Sequence, residues 1–309
     1  MALLLAPLGG NAGEWLRVFA TELPGLEIRV WPDIGNPADI DVAAVAHPPH
    51  GLLASLPNLC LIASLMAGQE AILGDPTLPR DVPIVRTGDP DGDALMNETA
   101  LLHVLRHHCY VPEYRLQQQR HEWKRLPRLS ASERKVGVMG LGLIGLAVAK
   151  MLRDHGFRVA GWARHAKEID GIETLHGGDQ LAAFLGRSEI LVNLVALTPE
   201  TVGILNRDRF SLLPKGAAVI NLARGQHIVD DDLIAALDAG QLSSATLDVY
   251  HQEPLPKDSP LWAHPRITVM PHVSRRIEAA QVVPHIAENV RRLQQGRPFV
   301  QLVNRAAGY

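Results

Sequence analysis

Short apolar runs alternate with segments of helical periodicity along most of the chain. Residues 26–31, 42–46, 61–64, 136–139, 158–162, 190–194, 218–221, 244–247 and 267–270 are short and rich in apolar residues, and each predicts a strand. Between most of them lie helix candidates, among them 144–155, 180–185 and 231–239. The apolar start, Met1-Ala-Leu-Leu-Leu-Ala-Pro, has no basic segment and stops at Pro7. It predicts a first buried strand rather than a signal peptide. Strands alternating with helices imply an α/β fold with parallel sheets covered on both faces.

One stretch departs from this rhythm. Neither Gly nor Pro occurs from Asp93 to Val111, and Leu95, Ala100, Leu101, Leu102 and Leu105 recur at helical spacing. Asp93 predicts an N-cap with Glu98 nearby, and Arg106 and His107 fall where cations complement a helix dipole. Pro112 predicts the end of this helix, and the polar residues 115–124 predict a connector between two lobes. Leu95, Leu102 and Leu105 are expected to be packing residues.

A chain of 309 residues suggests two domains. The net charge of -3, from 30 basic and 33 acidic residues, leaves no polybasic footprint for nucleic acid or an anionic membrane. Cys60 and Cys109 are the only cysteines, too few for a disulfide framework or a thiolate zinc site. That usage predicts a reducing compartment, the cytoplasm. No run reaches the apolar length of a membrane-spanning helix. His103 and His107 have a metal-ligand spacing, but spacing identifies no third ligand and no metal is expected. There is no G-x-S-x-G or Walker A turn.

The strongest motif is Gly140, Gly142 and Gly145, a G-x-G-x-x-G directly after one predicted strand and opening a predicted helix. The first glycine permits the tight turn, the second lets a pyrophosphate approach the backbone, and the third lets helix pack on strand. Phosphate then meets the positive end of the helix. After the next strand, an NAD site would carry an Asp or Glu for the adenosine ribose. This chain has Arg164, then His165 and Lys167, with no carboxylate until Glu168. A guanidinium pairs with a 2′-phosphate where a carboxylate would repel it, so NADPH is the expected cofactor, with NADH the alternative.

Arg224, Glu253 and His272 each follow an apolar strand, at the strand ends where ligands bind in open α/β sheets. A guanidinium can hold a substrate carboxylate or carbonyl oxygen, and an imidazolium can give its proton to that oxygen as hydride reaches carbon. A carboxylate beside the imidazole favours its charged form and fixes its orientation. Each residue alone has an ordinary explanation: a loop cap, a surface carboxylate, a core histidine. Together, downstream of a dinucleotide turn, they suit reduction of a 2-oxo acid.

These residues carry a resemblance. Gly137-Val-Met-Gly-Leu-Gly-Leu-Ile-Gly, Asn221-Leu-Ala-Arg-Gly, Leu247-Asp-Val-Tyr-His-Gln-Glu-Pro-Leu-Pro, Ser259-Pro-Leu-Trp and Pro271-His resemble the D-2-hydroxyacid dehydrogenase family. The closing Val303-Asn-Arg-Ala-Ala-Gly-Tyr and the pair His47-Pro-Pro are similar to its glyoxylate/hydroxypyruvate reductase A branch. The resemblance implies two Rossmann-like lobes, with a cofactor lobe (95–274, including the connector helix) inserted into a discontinuous substrate lobe (1–94 and 275–309). It assigns Arg224 to substrate, His272 to acid/base chemistry and Glu253 to the histidine's partner. It places the backbone at Gly142, Leu143 and Ile144 on pyrophosphate, adds Ala223 to the cofactor site, and sets Asp248 beside the nicotinamide carboxamide. Ala67 and Gly68 would offer backbone N–H groups to the substrate. It also implies a homodimer, with the connector helix as a surface between copies.

Two departures bear on substrate choice. In the carboxylate loop, Leu65-Met-Ala-Gly-Gln-Glu carries Met66 and Gln69 where the family has a glycine and an apolar residue, so an altered and more polar pocket wall is expected. Arg275, beyond His272, stands where the family generally has small residues, either near the cleft mouth or as a surface ion-pair partner. Glyoxylate and hydroxypyruvate are the expected substrates. The alternatives are another 2-oxo acid dehydrogenase of this fold with a larger or more acidic substrate, and a nucleotide-sensing regulatory protein.

Overall fold

The computed structural model describes residues 1–7, 12–87, 94–275, 278–306 and 308; the expected N-cap Asp93 lies outside the described residues. The chain divides into two compact units, Met1–Asp89 with Ile277–Tyr309, and Pro90–Arg276.

The first unit is built on a parallel sheet of β1 (Ala2–Ala6), β2 (Glu27–Val30), β3 (Ile40–Val45), β4 (Leu61–Ser64) and β5 (Ile84–Val85), in the order β2-β1-β3-β4-β5. Side chains alternate across a strand. Leu3 and Leu5 therefore join Val42 and Ala44 on one face, while Leu4 joins Ala43 and Val45 on the other. The first face is covered by α1 (Gly13–Glu22) through Phe19, and by α9 (Ala279–Gln294) through Val283, Ile286 and Val290. A short α2 (Glu70–Leu73) covers part of the second through Ile72.

The second unit begins with α3 (Ala94–His108) and α4 (Val111–Gln119). Its parallel sheet comprises β6 (Lys135–Met139), β7 (Arg158–Ala163), β8 (Glu173–His176), β9 (Ile190–Asn193), β10 (Ala217–Asn221), β11 (Leu242–Leu247) and β12 (Ile267–Val269), ordered β12-β11-β10-β9-β6-β7-β8. The helices α5 (Leu143–Asp154), α6 (Leu181–Gly186), α7 (Arg207–Leu212) and α8 (Asp230–Asp238) lie between strands. From β6 the chain adds β7 and β8 on one side, then returns to add β9 onward on the other. The strand order reverses beside β6, and ligands bind at such switch points, outside the strand carboxyl ends. Both expected α/β lobes are present. The two strands that no apolar run announced are β5, two residues long, and β8, a half-exposed edge strand.

Pro112 does not end the long helix. That helix stops at His108, Tyr110 turns the chain at φ 57°, and Pro112 sits in the first turn of α4. There its missing N–H has no helical acceptor to lose, so part of the polar stretch expected to be a connector is helical. Leu95, Leu102 and Leu105 are not packed either: they remain 37%, 58% and 39% exposed, and α3 packs through Met96, Ala100 and Val104 instead. His107 is buried against β11, with Nδ1 2.9 Å from Ser244 Oγ and Nε2 3.0 Å from Thr246 Oγ1. Among the described residues, no helix is long and apolar enough to cross a membrane.

Candidate active site

The glycine turn follows β6 at the switch point. Gly140 has φ +100°, and a Cβ there would fall 2.6 Å from the Leu194 carbonyl carbon. A Cβ on Gly145 would overlap the Gly140 carbonyl oxygen. These two glycines are demanded by the protein's own packing. Gly142 is not: it caps α5 with an ordinary negative φ, and a Cβ there would meet nothing within 4 Å. No side chain caps this helix, so the amides of its first turn, beginning at Leu143 and Ile144, open toward that space. Free N–H groups at a helix start beside an uncrowded backbone suit a pyrophosphate. At the end of β7, Arg164 projects as an exposed side chain, its Nη2 3.7 Å from Glu200 Oε2. Hydrogen bonding from the Thr198 hydroxyl is the main reason the Glu200 carboxyl lies below its usual range. Lys167, from the same basic loop, bonds the Leu141 carbonyl of the glycine turn at 2.6 Å.

Arg224, Glu253 and His272 follow β10, β11 and β12, three neighbouring strands of one sheet. His272 Nδ1 lies 2.6 Å from Glu253 Oε2, and the other carboxylate oxygen accepts the Tyr250 N–H at 3.0 Å. Both oxygens of Glu253 are thereby occupied, which aims the carboxylate and leaves Nε2 as the ring nitrogen on the side away from it. His272 is half-exposed, so it is not a core histidine. Its backbone is left-handed, φ 51°, a costly conformation for a residue with a Cβ. Buried Asp248 secures it by accepting the next two amides, Val273 N at 2.8 Å and Ser274 N at 2.9 Å. Tyr250 Oη lies 2.7 and 2.9 Å from the carbonyl oxygens of Leu247 and Met270, which share its single proton, tying β11 to the histidine's segment, and burial pushes this phenol well above its usual range.

Residues 99–274 match the family model described as D-isomer specific 2-hydroxyacid dehydrogenase, NAD binding domain. The chain belongs to this family. It is 41% identical over 304 residues to a glyoxylate/hydroxypyruvate reductase A of Serratia proteamaculans, covering 97% of each chain. Among solved structures, a D-isomer specific 2-hydroxyacid dehydrogenase of Xanthobacter autotrophicus Py2 in complex with NADPH and MES superposes with a TM-score of 0.95, at 39% identity, covering 100% of this chain and 99% of that one. An NADPH-dependent glyoxylate/hydroxypyruvate reductase of Sinorhizobium meliloti in complex with NADP and sulfate gives 0.91 at 33% identity, covering all of both chains.

The dehydrogenase holds Arg224 in a half-buried turn, with Nη1 2.6 Å from the Ala223 carbonyl. The turn is built by Asn221, which opens the Asn221-Leu-Ala-Arg-Gly motif, and by two residues that no motif singled out, Asn193 and His227. Asn193 ends β9 and bonds Asn221 Oδ1 at 3.0 Å, and Asn221 Nδ2 donates to the Arg224 carbonyl at 2.9 Å. His227, fully buried, lies 3.1 Å from the same Asn193 nitrogen. A polar residue closing an apolar strand, as in Ile190-Leu-Val-Asn, was the available signal.

In the first unit, Ala67 is exposed and Gly68 half-buried on the loop after β4. Gln69 does not line a more polar wall as expected. It is 2% exposed and turns inward, its Nε2 3.2 Å from the Met66 carbonyl and 3.3 Å from that of Ala67. Met66 packs against the core beneath.

Proposed function

We propose that this dehydrogenase reduces glyoxylate, hydroxypyruvate and related small 2-oxo acids to 2-hydroxy acids with NADPH. The observation that carries this reading is the 2.6 Å His272–Glu253 pair, set after β12 and β11, with Arg224 after the next strand of the same sheet, β10. When bound, NADPH supplies the hydride. Arg224 holds the substrate carboxylate or carbonyl oxygen in its planar fork and restricts it to one orientation. His272 gives the Nε2 proton to the carbonyl oxygen as that oxygen gains charge, and Glu253 fixes the ring from the opposite nitrogen. Asp248 serves this chemistry by holding the backbone after His272, and beside the nicotinamide it would offer an acceptor to the carboxamide.

The uncrowded backbone at Gly142 and the open first turn of α5 support pyrophosphate binding by Gly142, Leu143 and Ile144, with Ala223 farther along the same strand ends. Arg164 supports selection of the 2′-phosphate, and relatives solved with NADPH or NADP agree with that choice. A homodimer is supported by the apolar surface of α3, α4 and the segment after them, where Leu102 is 58% and Trp123 93% exposed. Steady-state kinetics with a panel of 2-oxo acids, each with NADPH and NADH, tests the reading. It requires turnover of glyoxylate or hydroxypyruvate and a higher kcat/KM with NADPH; cofactor binding without turnover would indicate a sensor instead.

A further inference from the structure

We propose that Asn193, Asn221 and His227 form a buried relay that positions Arg224 for substrate. The inference rests on the reading of Arg224 as the substrate-holding residue.

All three side chains are fully buried, on three different segments: the end of β9, the end of β10, and the turn after Arg224. The main chain dictates how the two amides point. Asn193 Oδ1 accepts the Val195 N–H at 3.3 Å, and Asn221 Oδ1 accepts the Ala223 N–H at 3.2 Å. A carbonyl oxygen must face each of these donors, so neither amide can be reversed. Asn193 Nδ2 therefore donates both to Asn221 Oδ1 and to His227 Nδ1. A ring nitrogen that accepts carries no proton. His227 is thus neutral, with its proton on Nε2, and burial, the largest influence on it, holds it down to about 4.

The relay ends on the catalytic turn. Asn221 Nδ2 grips the Arg224 carbonyl at 2.9 Å, and the next residue, Gly225, lies so close to Tyr250 that a Cβ would overlap the Tyr250 carbonyl. Tyr250 is the residue whose N–H fixes Glu253. One set of contacts thus sets both the exit direction of Arg224 and its register against the Glu253–His272 pair. Packing alone does not account for the histidine: an aliphatic side chain would fill the same fully buried space without the cost of burying a polar ring. The polar ring is explained by the acceptor it offers to Asn193.

The test is a kinetic series with glyoxylate and NADPH. His227→Leu removes the acceptor at similar volume, whereas His227→Gln offers an amide oxygen in its place. If the relay positions Arg224, His227→Leu raises KM for glyoxylate by about tenfold or more and lowers kcat less, because a misplaced binding group chiefly weakens substrate binding. NADPH affinity, measured by fluorescence titration, stays near wild type, and His227→Gln recovers most of the loss. Asn193→Ala behaves like His227→Leu, and the double variant is less impaired than the product of the two single effects, as expected for members of one network. If His227→Leu does not fold, Asn193→Ala carries the same prediction. A folded variant with wild-type KM overturns the relay, as does an equal loss of NADPH and glyoxylate binding, the mark of general loosening. Wild-type enzyme that turns over no 2-oxo acid overturns the assignment of Arg224 itself, and the relay with it. Wild-type turnover beside an unaffected variant overturns the relay alone.

Discussion

Acidification is expected to destabilise the second unit through His107. Both ring nitrogens of this buried imidazole lie on the Ser244 and Thr246 hydroxyls, and burial pushes it down to about 3, with repulsion from Arg106 and then His103 adding to the effect. In the unfolded chain the same ring titrates near its ordinary value of about 6.5. Between these values the unfolded state binds a proton that the folded state refuses. The contribution to stability is therefore complete above about pH 6.5 and is lost as pH falls toward about 3, at up to about 1.4 kcal/mol per pH unit. Moving from about pH 8 to about pH 5 costs about 2 kcal/mol from this one group. The assay is urea unfolding at both pH values for wild type and His107→Gln, whose amide can still meet both hydroxyls. Every other titrating group is common to the two proteins and cancels in the comparison. Wild type should lose about 2 kcal/mol more than the variant on acidification. Equal losses, or a wild type stabilised by acid, would refute the reasoning.

The remaining outcomes concern the site. Gly142→Ala should fold with wild-type stability yet bind NADPH more weakly, because its Cβ enters open space at the start of α5, whereas Gly145→Ala should lose stability because its Cβ collides with the Gly140 carbonyl; thermal unfolding and cofactor titration separate the two. Arg164→Asp should reverse or abolish the preference for NADPH over NADH in kcat/KM, since a carboxylate repels the 2′-phosphate and accepts ribose hydroxyls. His272→Asn should keep NADPH affinity and lower kcat by about a hundredfold or more.

Much of this architecture is legible in residue patterns, for physical reasons that differ from place to place. Strands such as β1, β6 and β10 are buried on both faces along most of their length and are largely apolar there, so short apolar runs mark them. Gly140 and Gly145 are readable because backbone occupies the space a side chain would need. β8 lies at an edge with half-exposed residues, and no burial requirement writes it into the pattern. Pro112 misleads because proline suits the first turn of a new helix as well as it terminates an old one. Leu102 shows that helical spacing reveals an apolar face without saying what covers it. Gln69 and His227 were illegible as partners because a single polar residue carries no period, and only coordinates show which way its side chain turns. Arg224, Glu253 and His272 could be picked out by their place after strands, but the 2.6 Å pairing of two of them required the fold.

The central claim is hydride transfer from NADPH to the carbonyl carbon of a 2-oxo acid. It is tested most directly with NADPH carrying deuterium on the transferable face of C4, incubated with hydroxypyruvate and the enzyme. The product should be a D-configured 2-hydroxy acid bearing one deuterium at C2, formed at a rate that His272→Asn lowers sharply. A product without deuterium, or no product while NADPH binds, would contradict the account.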